Sequence, residues 1–216
     1  MNDLAKAERE ELSMMFDLRA GPRLEGRIAR APGQPLVVLC HPHPLFGGSM
    51  DNAMVRLARD TAWELGLGTL RFNFRGVGQS EGGWGGGTGE AKDLSNLLEL
   101  VSRGDHAPDG VILLGYSFGA WTAVRACDAG FQPRSLCLVS PPVDFLSFAG
   151  VTLPAAPCLV VVGEQDDLCA LPRLRSWLRA QPDDRQPVLK EVPEADHYWA
   201  HGAAALRQVL LGWLTE

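Results

Sequence analysis

Short runs of consecutive apolar residues alternate along this chain with segments in which apolar residues recur at helical spacing. The runs are typical of strands buried on both faces of a parallel sheet, and the spacing between them predicts helices. Two segments near the start, 14–19 and 24–29, are predicted to form an antiparallel hairpin at the sheet edge. The other predicted strands are 36–40, 67–74, 111–114, 135–139, 158–162 and 188–192, and the predicted helices are 51–65, from 89 or 90 to 103, from 120 onward, 172–180 and 198–214. The alternation predicts an α/β fold: a mostly parallel central sheet of about eight strands with helices on both faces and ligands at the strands' carboxyl ends.

One strand-to-helix junction carries a chemical motif. Residues 111–123 read V-I-L-L-G-Y-S-F-G-A-W-T-A, in which an apolar strand meets a helix through G-x-S-x-G. Glycines without a Cβ permit the strained turn that such a junction needs. The turn would present a serine hydroxyl at the sheet edge, so the pattern predicts a nucleophile elbow with Ser117 as nucleophile. A glycine-rich turn with a solvated serine is the alternative.

Loops after two later strands offer the partners that an activated serine requires. His197, in P-E-A-D-H-Y-W, lies between the last strand and the last helix and could take the Ser117 proton as general base. Asp166, in V-V-G-E-Q-D-D-L, lies just past a strand end and could fix the tautomer of that imidazole. Together the three residues predict a Ser-His-Asp catalytic triad.

Other residues compete for two of these roles. For the acid, Asp167 is adjacent to Asp166, and Asp144 follows an earlier strand at P-P-V-D. For the base, His201 is the weaker candidate because we expect it inside the last helix. Asp196 directly precedes the favoured histidine, so its side chain should diverge from the imidazole and serve the loop.

A developing oxyanion needs at least two N–H donors. One should be the backbone amide of Phe118, which follows the nucleophile at the positive end of the next helix. The other should come from the loop H-P-H-P-L-F-G-G-S-M after strand 36–40, where the prolines have no N–H to offer. His43 and Leu45 are the favoured donors, and Phe46 is a third choice.

The same loop contains two histidines two residues apart, which raises the question of a metal. Zinc sites use three or four ligands, and no third ligand lies near His41 and His43 in sequence. We therefore expect no metal, and we expect His41 to be a structural hydrogen-bonding residue at the base of the loop.

Length, composition and charge limit the classes of partner that this protein could bind. The 216 residues suffice for one well-buried core, so we expect one domain over residues 1–216. The net charge of −6 without a Lys/Arg block argues against binding to nucleic acid or an acidic membrane, and favours a small-molecule partner. The charged amino terminus and the lack of an eighteen-residue apolar run predict no signal peptide, no membrane span and a cytoplasmic location. Five cysteines without C-x-x-C spacing predict buried free thiols.

With these residues in place, the chain resembles the α/β-hydrolase superfamily along nearly its whole length. The segments H-P-H-P-L-F-G-G-S-M-D-N, R-F-N-F-R-G-V-G-Q-S-E-G and G-Y-S-F-G are similar to those of small lidless bacterial hydrolases, described as dienelactone-hydrolase-like and acyl-peptidase-like. The resemblance implies Ser117 as nucleophile, Asp166 as acid and His197 as base, with R-G-V-G-Q-S beside the pocket. The H-P-H-P segment replaces the more usual His-Gly, and Ser117 stands where dienelactone-type enzymes use Cys.

The resemblance also bears on the pocket and the reaction. Cap domains of the superfamily are inserted where this chain has only residues 141–157, so no large cap is expected. An open site floored by Phe118 should be bordered by substrate-binding residues among Phe46, Trp84, Tyr198 and Phe145, which suits small or accessible acyl esters. We expect a serine carboxylesterase that needs no cofactor. An amide or peptide hydrolase with the same triad, or a non-catalytic binding protein of this fold, is the alternative. The sequence also contains six tryptophans, and an exposed pair of them could mark the surface of a homodimer.

Overall fold

The computed structural model describes residues 10–104 and 107–215. Within them the strands are β1 Leu12–Asp17, β2 Arg23–Ala29, β3 Leu36–Cys40, β4 Gly68–Phe72, β5 Val111–Tyr116, β6 Ser135–Val139, β7 Cys158–Gly163 and β8 Val188–Val192. The α-helices are α1 Ala53–Glu64, α2 Thr88–Val101, α3 Phe118–Asp128, α4 Leu171–Arg179 and α5 Ala203–Leu214.

The strands form one sheet in the order β1-β2-β4-β3-β5-β6-β7-β8. The β1–β2 and β2–β4 pairs are antiparallel, and all later pairs are parallel. The predicted edge hairpin and the mostly parallel sheet of eight strands are thus confirmed. Parallel pairing brings the carboxyl ends of β3, β5, β6, β7 and β8 to one edge, where the loops that follow them meet.

Helices cover both faces of the sheet. Helices α2, α3 and α4 bury their apolar residues on one face, and α1 and α5 do so on the other. Strand β3 is buried at every position because both of its faces are covered, which explains its unbroken apolar sequence. Residues 141–157, between β6 and β7, contain neither helix nor strand, in agreement with the expected absence of a large cap.

The predicted helix starts differ from those in the structure, and for two helices local contacts explain the difference. Helix α2 begins at Thr88 and not at 89 or 90, because the buried carboxylate of Glu90 accepts the amides of Gly85 and Gly87 at 2.7 and 2.8 Å. The last helix begins at Ala203 and not at 198. Trp199 explains this second difference, since its φ of 60° is incompatible with a right-handed helix.

A buried arginine joins the start of the described chain to the loop after β3. The Arg71 side chain on β4 is 2% exposed, and its guanidinium donates to the Glu11 carboxylate at 2.7 Å and to the Met50 carbonyl at 3.1 Å. It also forms an ion pair with Asp51. These contacts hold the segment that leads from the β3 loop into α1.

The remaining sequence predictions concern thiols and membranes. All five cysteines are buried and free, and burial raises the pKa of Cys127 to about 12. No helix within the described ranges is both long and apolar enough to cross a membrane. The charged segment behind the prediction of no signal peptide lies almost entirely in residues 1–9, outside the described residues.

Candidate active site

The turn between β5 and α3 holds Ser117 in a backbone conformation that few non-glycine residues adopt. Its φ and ψ are 55° and −118°, and its amide donates to the Val139 carbonyl of β6 at 2.9 Å. Only glycine fits on either side. A Cβ on Gly115 would lie 2.2 Å from the Gly119 carbonyl oxygen, and a Cβ on Gly119 would lie 2.1 Å from that of Cys40. Close packing of β5, α3 and β3 therefore dictates the G-x-S-x-G spacing.

The structure brings together the three residues that the sequence singled out. Ser117 Oγ lies 2.9 Å from His197 Nε2, and His197 Nδ1 lies 2.7 Å from Asp166 Oδ1. All three side chains are buried. The amide of Leu168 also donates to Asp166 Oδ1, at 3.0 Å. Because a carboxylate only accepts, His197 carries its proton on Nδ1 and Nε2 is free to accept the serine proton.

Two aromatic residues that sequence reasoning did not assign to the site fix the position of His197. The Tyr116 hydroxyl donates to the His197 carbonyl at 2.8 Å, and burial raises the Tyr116 pKa, which keeps this group protonated. Trp199 is buried and donates from its indole nitrogen to Ser140 Oγ at 3.1 Å. The residue next to the nucleophile and the loop after β6 thus hold the histidine loop. The tyrosine of G-Y-S-F-G was visible in sequence, but nothing there indicated its partner.

The competing residues lie elsewhere. Asp167 is exposed, and Asp144 accepts the Ala170 amide at 2.5 Å and pairs with Arg173. His201 is exposed and lies in the turn before α5, whereas we expected it inside that helix. Asp196 accepts the Ala200 amide at 3.0 Å, which is the loop role expected of it.

Hydrogen bonding separates the candidate oxyanion donors. The Leu45 amide donates to His43 Nδ1 at 3.2 Å, and the Phe46 amide donates to the His43 carbonyl at 3.1 Å. The expectation that Leu45 could serve as a donor therefore does not fit the structure. The amides of Phe118 and His43 donate to no acceptor within residues 10–104 and 107–215. These two N–H groups are left for a ligand near Ser117.

His41 has a structural place at the base of the same loop. Its Nδ1 donates to the Pro42 carbonyl at 2.6 Å, and its Nε2 accepts the Phe74 amide at 3.0 Å. The side chain is fully buried, and burial lowers its pKa to about 4. Both ring nitrogens are thus occupied by the protein itself, so neither is available to a metal.

A cavity of about 350 Å³ opens directly above Ser117 and His197. No Asp, Glu, Lys or Arg is among the described residues that line it. Phe46 and Tyr198, two of the predicted substrate-binding residues, are in its wall together with His43, Phe118 and Phe145. Trp84, the third, is not. Its ring packs against two residues of the wall, with its centroid 4.7 Å from that of His43 and 5.5 Å from that of Phe118.

The glycine-rich loop that carries Trp84, residues 75–87, is anchored to the rest of the protein by buried polar contacts. Arg75 forms two hydrogen bonds of 2.6 Å with the buried Asp93 of α2. Ser80 accepts the Glu25 amide at 2.9 Å and donates to the Asn73 carbonyl at 2.7 Å. The R-G-V-G-Q-S segment was expected beside the pocket, but none of its residues is among the described residues that line the cavity.

The solved structures that share this fold include two that are more than 30% identical to this chain. One is an α/β serine hydrolase without a lid from Xanthomonas campestris, 31% identical, with a TM-score of 0.85 over 95% of this chain and 94% of that one. The other is an α/β serine hydrolase homologue from Coxiella burnetii, 32% identical, with a TM-score of 0.84 over 94% and 97%. An uncharacterized protein of Rickettsia prowazekii is 29% identical over 187 residues, 83% of this chain and 79% of its own. No protein-family model matches the chain. The chain belongs to the α/β-hydrolase superfamily, among the small serine hydrolases without a lid.

Proposed function

We propose that this chain is a serine carboxylesterase that acts on small, uncharged acyl esters through an acyl-enzyme on Ser117. The observation that carries the proposal is the buried hydrogen-bonded series from Ser117 Oγ through the His197 imidazole to Asp166, with distances of 2.9 and 2.7 Å. The free amides of Phe118 and His43 beside it supply the second requirement of acyl transfer, a site for the oxyanion.

Each step of ester hydrolysis can be assigned to a chemical group of the site. Ser117 Oγ attacks the ester carbonyl carbon while its proton passes to His197 Nε2, and the carbonyl oxygen becomes an oxyanion held by the Phe118 and His43 amides. Asp166 stabilises the imidazolium that forms. When the carbon–oxygen bond to the alcohol breaks, His197 returns the proton to the leaving oxygen. Water then repeats the sequence on the acyl-enzyme and releases the acid, so the protons and electron pairs balance without a cofactor.

The cavity supports the choice of substrate. None of the described residues that line it is an Asp, Glu, Lys or Arg, so an anionic or cationic group would lose hydration without gaining an ion pair. The uncovered mouth, bounded by residues 141–157 without a helix or strand, favours accessible esters over chains that need a long enclosed tunnel.

The test is labelling with a fluorophosphonate probe, followed by peptide mapping. We expect the adduct on Ser117, no adduct in Ser117→Ala, and a labelling rate lower by about 10³-fold or more in His197→Ala. His201→Ala is the matched control, because that histidine is exposed and outside the site. It should label like the wild type.

A second matched pair tests the acid. Asp166→Asn should slow labelling by about 10³-fold, whereas Asp167→Asn, one residue away but exposed, should not. Hydrolysis of p-nitrophenyl acetate but not of p-nitroacetanilide would favour an esterase over an amidase. A folded wild-type protein that forms no Ser117 adduct would refute the serine mechanism and leave a binding protein of this fold.

A further inference from the structure

Four ring side chains form a continuous wall on one side of the cavity. The His43 centroid lies 4.7 Å from that of Phe46, 4.9 Å from that of Phe118 and 6.1 Å from that of Phe145. The Phe46 and Phe145 centroids are 6.0 Å apart, with their rings inclined at 62°. These separations are those of interacting aromatic pairs. We call His43, Phe46, Phe118 and Phe145 the aromatic wall.

Two members of the wall are unusually exposed for their size. Phe46 is 72% exposed and Phe145 is 52% exposed, although both also line the cavity. They lie on different loops, after β3 and after β6, so the fold brings two phenyl rings together at the mouth. An apolar surface that lies beside a reactive group and stays in water gains free energy only when a ligand covers it.

The chemistry assigns the wall to one arm of the ester. The leaving oxygen must face His197 Nε2 to receive its proton, and Tyr198, with a ring centroid 5.6 Å from the His197 ring, borders that side. The oxyanion must lie at the amide of His43, whose own side chain is part of the wall. With the leaving oxygen on the side of His197 and Tyr198, the acyl group is the substituent of the carbonyl carbon that remains to contact the wall.

The wall has no charge to offer. His43 accepts the Leu45 amide on Nδ1, and burial lowers its pKa below the ordinary value, so the ring is neutral with its hydrogen on Nε2. Arginine and lysine, which would select an anionic acyl group, are not among the described residues that line the cavity.

We infer that the preferred acyl group is an uncharged aromatic one, such as an arylalkanoyl group, with its ring packed against Phe46 and Phe145. The inference rests on the proposed esterase function and names the substrate class of that same site. Ring edges and faces in the wall would contact the substrate ring in the inclined geometry that they already adopt with each other.

The experiment compares methyl 3-phenylpropanoate with methyl 3-cyclohexylpropanoate, which have the same alcohol and the same carbon skeleton. The saturated ring is the more hydrophobic, so a merely apolar pocket would prefer it. The aromatic wall should instead give kcat/KM for the phenyl ester about 5- to 10-fold above that for the cyclohexyl ester. In Phe46→Leu/Phe145→Leu this ratio should fall to one or below, and both side chains are exposed enough for the fold to survive.

Tyr198→Leu is the matched control, because it removes a 70% exposed ring from the alcohol side and should leave the ratio unchanged. A wild-type ratio of one or below, or a ratio that falls with Tyr198→Leu and not with the double variant, overturns the inference. Ser117 labelling by a fluorophosphonate in the same samples separates the two proposals. With labelling and ester turnover intact, only the aromatic preference fails; with neither, the esterase function fails and the inference falls with it.

Discussion

Substitution of Gly119 by alanine should damage stability and activity together. The added Cβ would lie 2.1 Å from the Cys40 carbonyl oxygen, whereas ordinary contact begins at 3.4 Å, so β3 and α3 must move apart by about 1.3 Å. Such overpacking costs about 1–3 kcal/mol. For a chain of this length, a loss of about 2 kcal/mol lowers the thermal midpoint by about 4–8 °C.

The same displacement separates the proposed oxyanion donors. The His43 amide follows β3 and the Phe118 amide begins α3, so Gly119→Ala moves one relative to the other. A misplacement of about 1 Å costs on the order of 100-fold in rate. The assay is thermal unfolding by circular dichroism, together with the second-order rate of fluorophosphonate labelling.

Gly212 provides the matched control, because an added Cβ on this residue of α5 meets nothing within 4 Å. Alanine is the better helix former by about 0.8–1 kcal/mol, so Gly212→Ala should raise the thermal midpoint by about 2–4 °C and leave labelling unchanged. If Gly119→Ala unfolds and labels like the wild type, the steric account of the elbow is wrong.

Three further predictions concern buried polar groups. Burial holds the pKa of His41 at about 4, so between pH 6.5 and 4 only the unfolded state binds the proton, and the free energy of unfolding falls as the pH falls. Urea unfolding should show a loss of about 2 kcal/mol from pH 7 to 5 in the wild type and no such loss in His41→Gln. An equal loss in the variant would contradict this prediction. Tyr116→Phe removes the hydrogen bond to the His197 carbonyl and should cost about 1 kcal/mol in unfolding free energy and slow labelling about 10-fold, whereas an unchanged rate would deny Tyr116 a positioning role. Glu11→Ala leaves the buried Arg71 guanidinium without one of its carboxylates and should lower the free energy of unfolding in urea by about 3 kcal/mol; a loss under 1 kcal/mol would show that Asp51 suffices.

The fold could be predicted from the sequence where burial alone determines which residues a strand or helix contains. Strands β3, β6 and β8 were predicted to the residue. For β3 the reason is that a strand covered on both faces must be apolar throughout. The start of the last helix was wrong because the apolar spacing from Tyr198 onward continues that of α5. In the structure Trp199 is turned into the core by its positive φ and its bond to Ser140, and no local pattern encodes that contact.

The candidate site divides in the same way. Ser117, Asp166 and His197 follow β5, β7 and β8, and parallel pairing was enough to bring those strand ends to one edge; their catalytic roles stay predictions. The choice between His43 and Leu45 as oxyanion donor depended on which amide the His43 side chain already occupies, which is a matter of rotamer and turn geometry. Trp84 was misplaced for a similar reason, since a sequence shows that a ring is present but not which side of a loop it packs against.

Residues 141–157, which contain neither helix nor strand, have a consequence for kinetics with sparingly soluble esters. A hydrolase whose mouth is shut by a mobile helix in water gains rate abruptly when its substrate forms droplets, because the droplet surface draws the helix aside. Here the path to Ser117 is not closed by a helix or strand from this segment. We therefore expect the rate to follow the concentration of dissolved ester along a simple hyperbola, with no jump at the solubility limit.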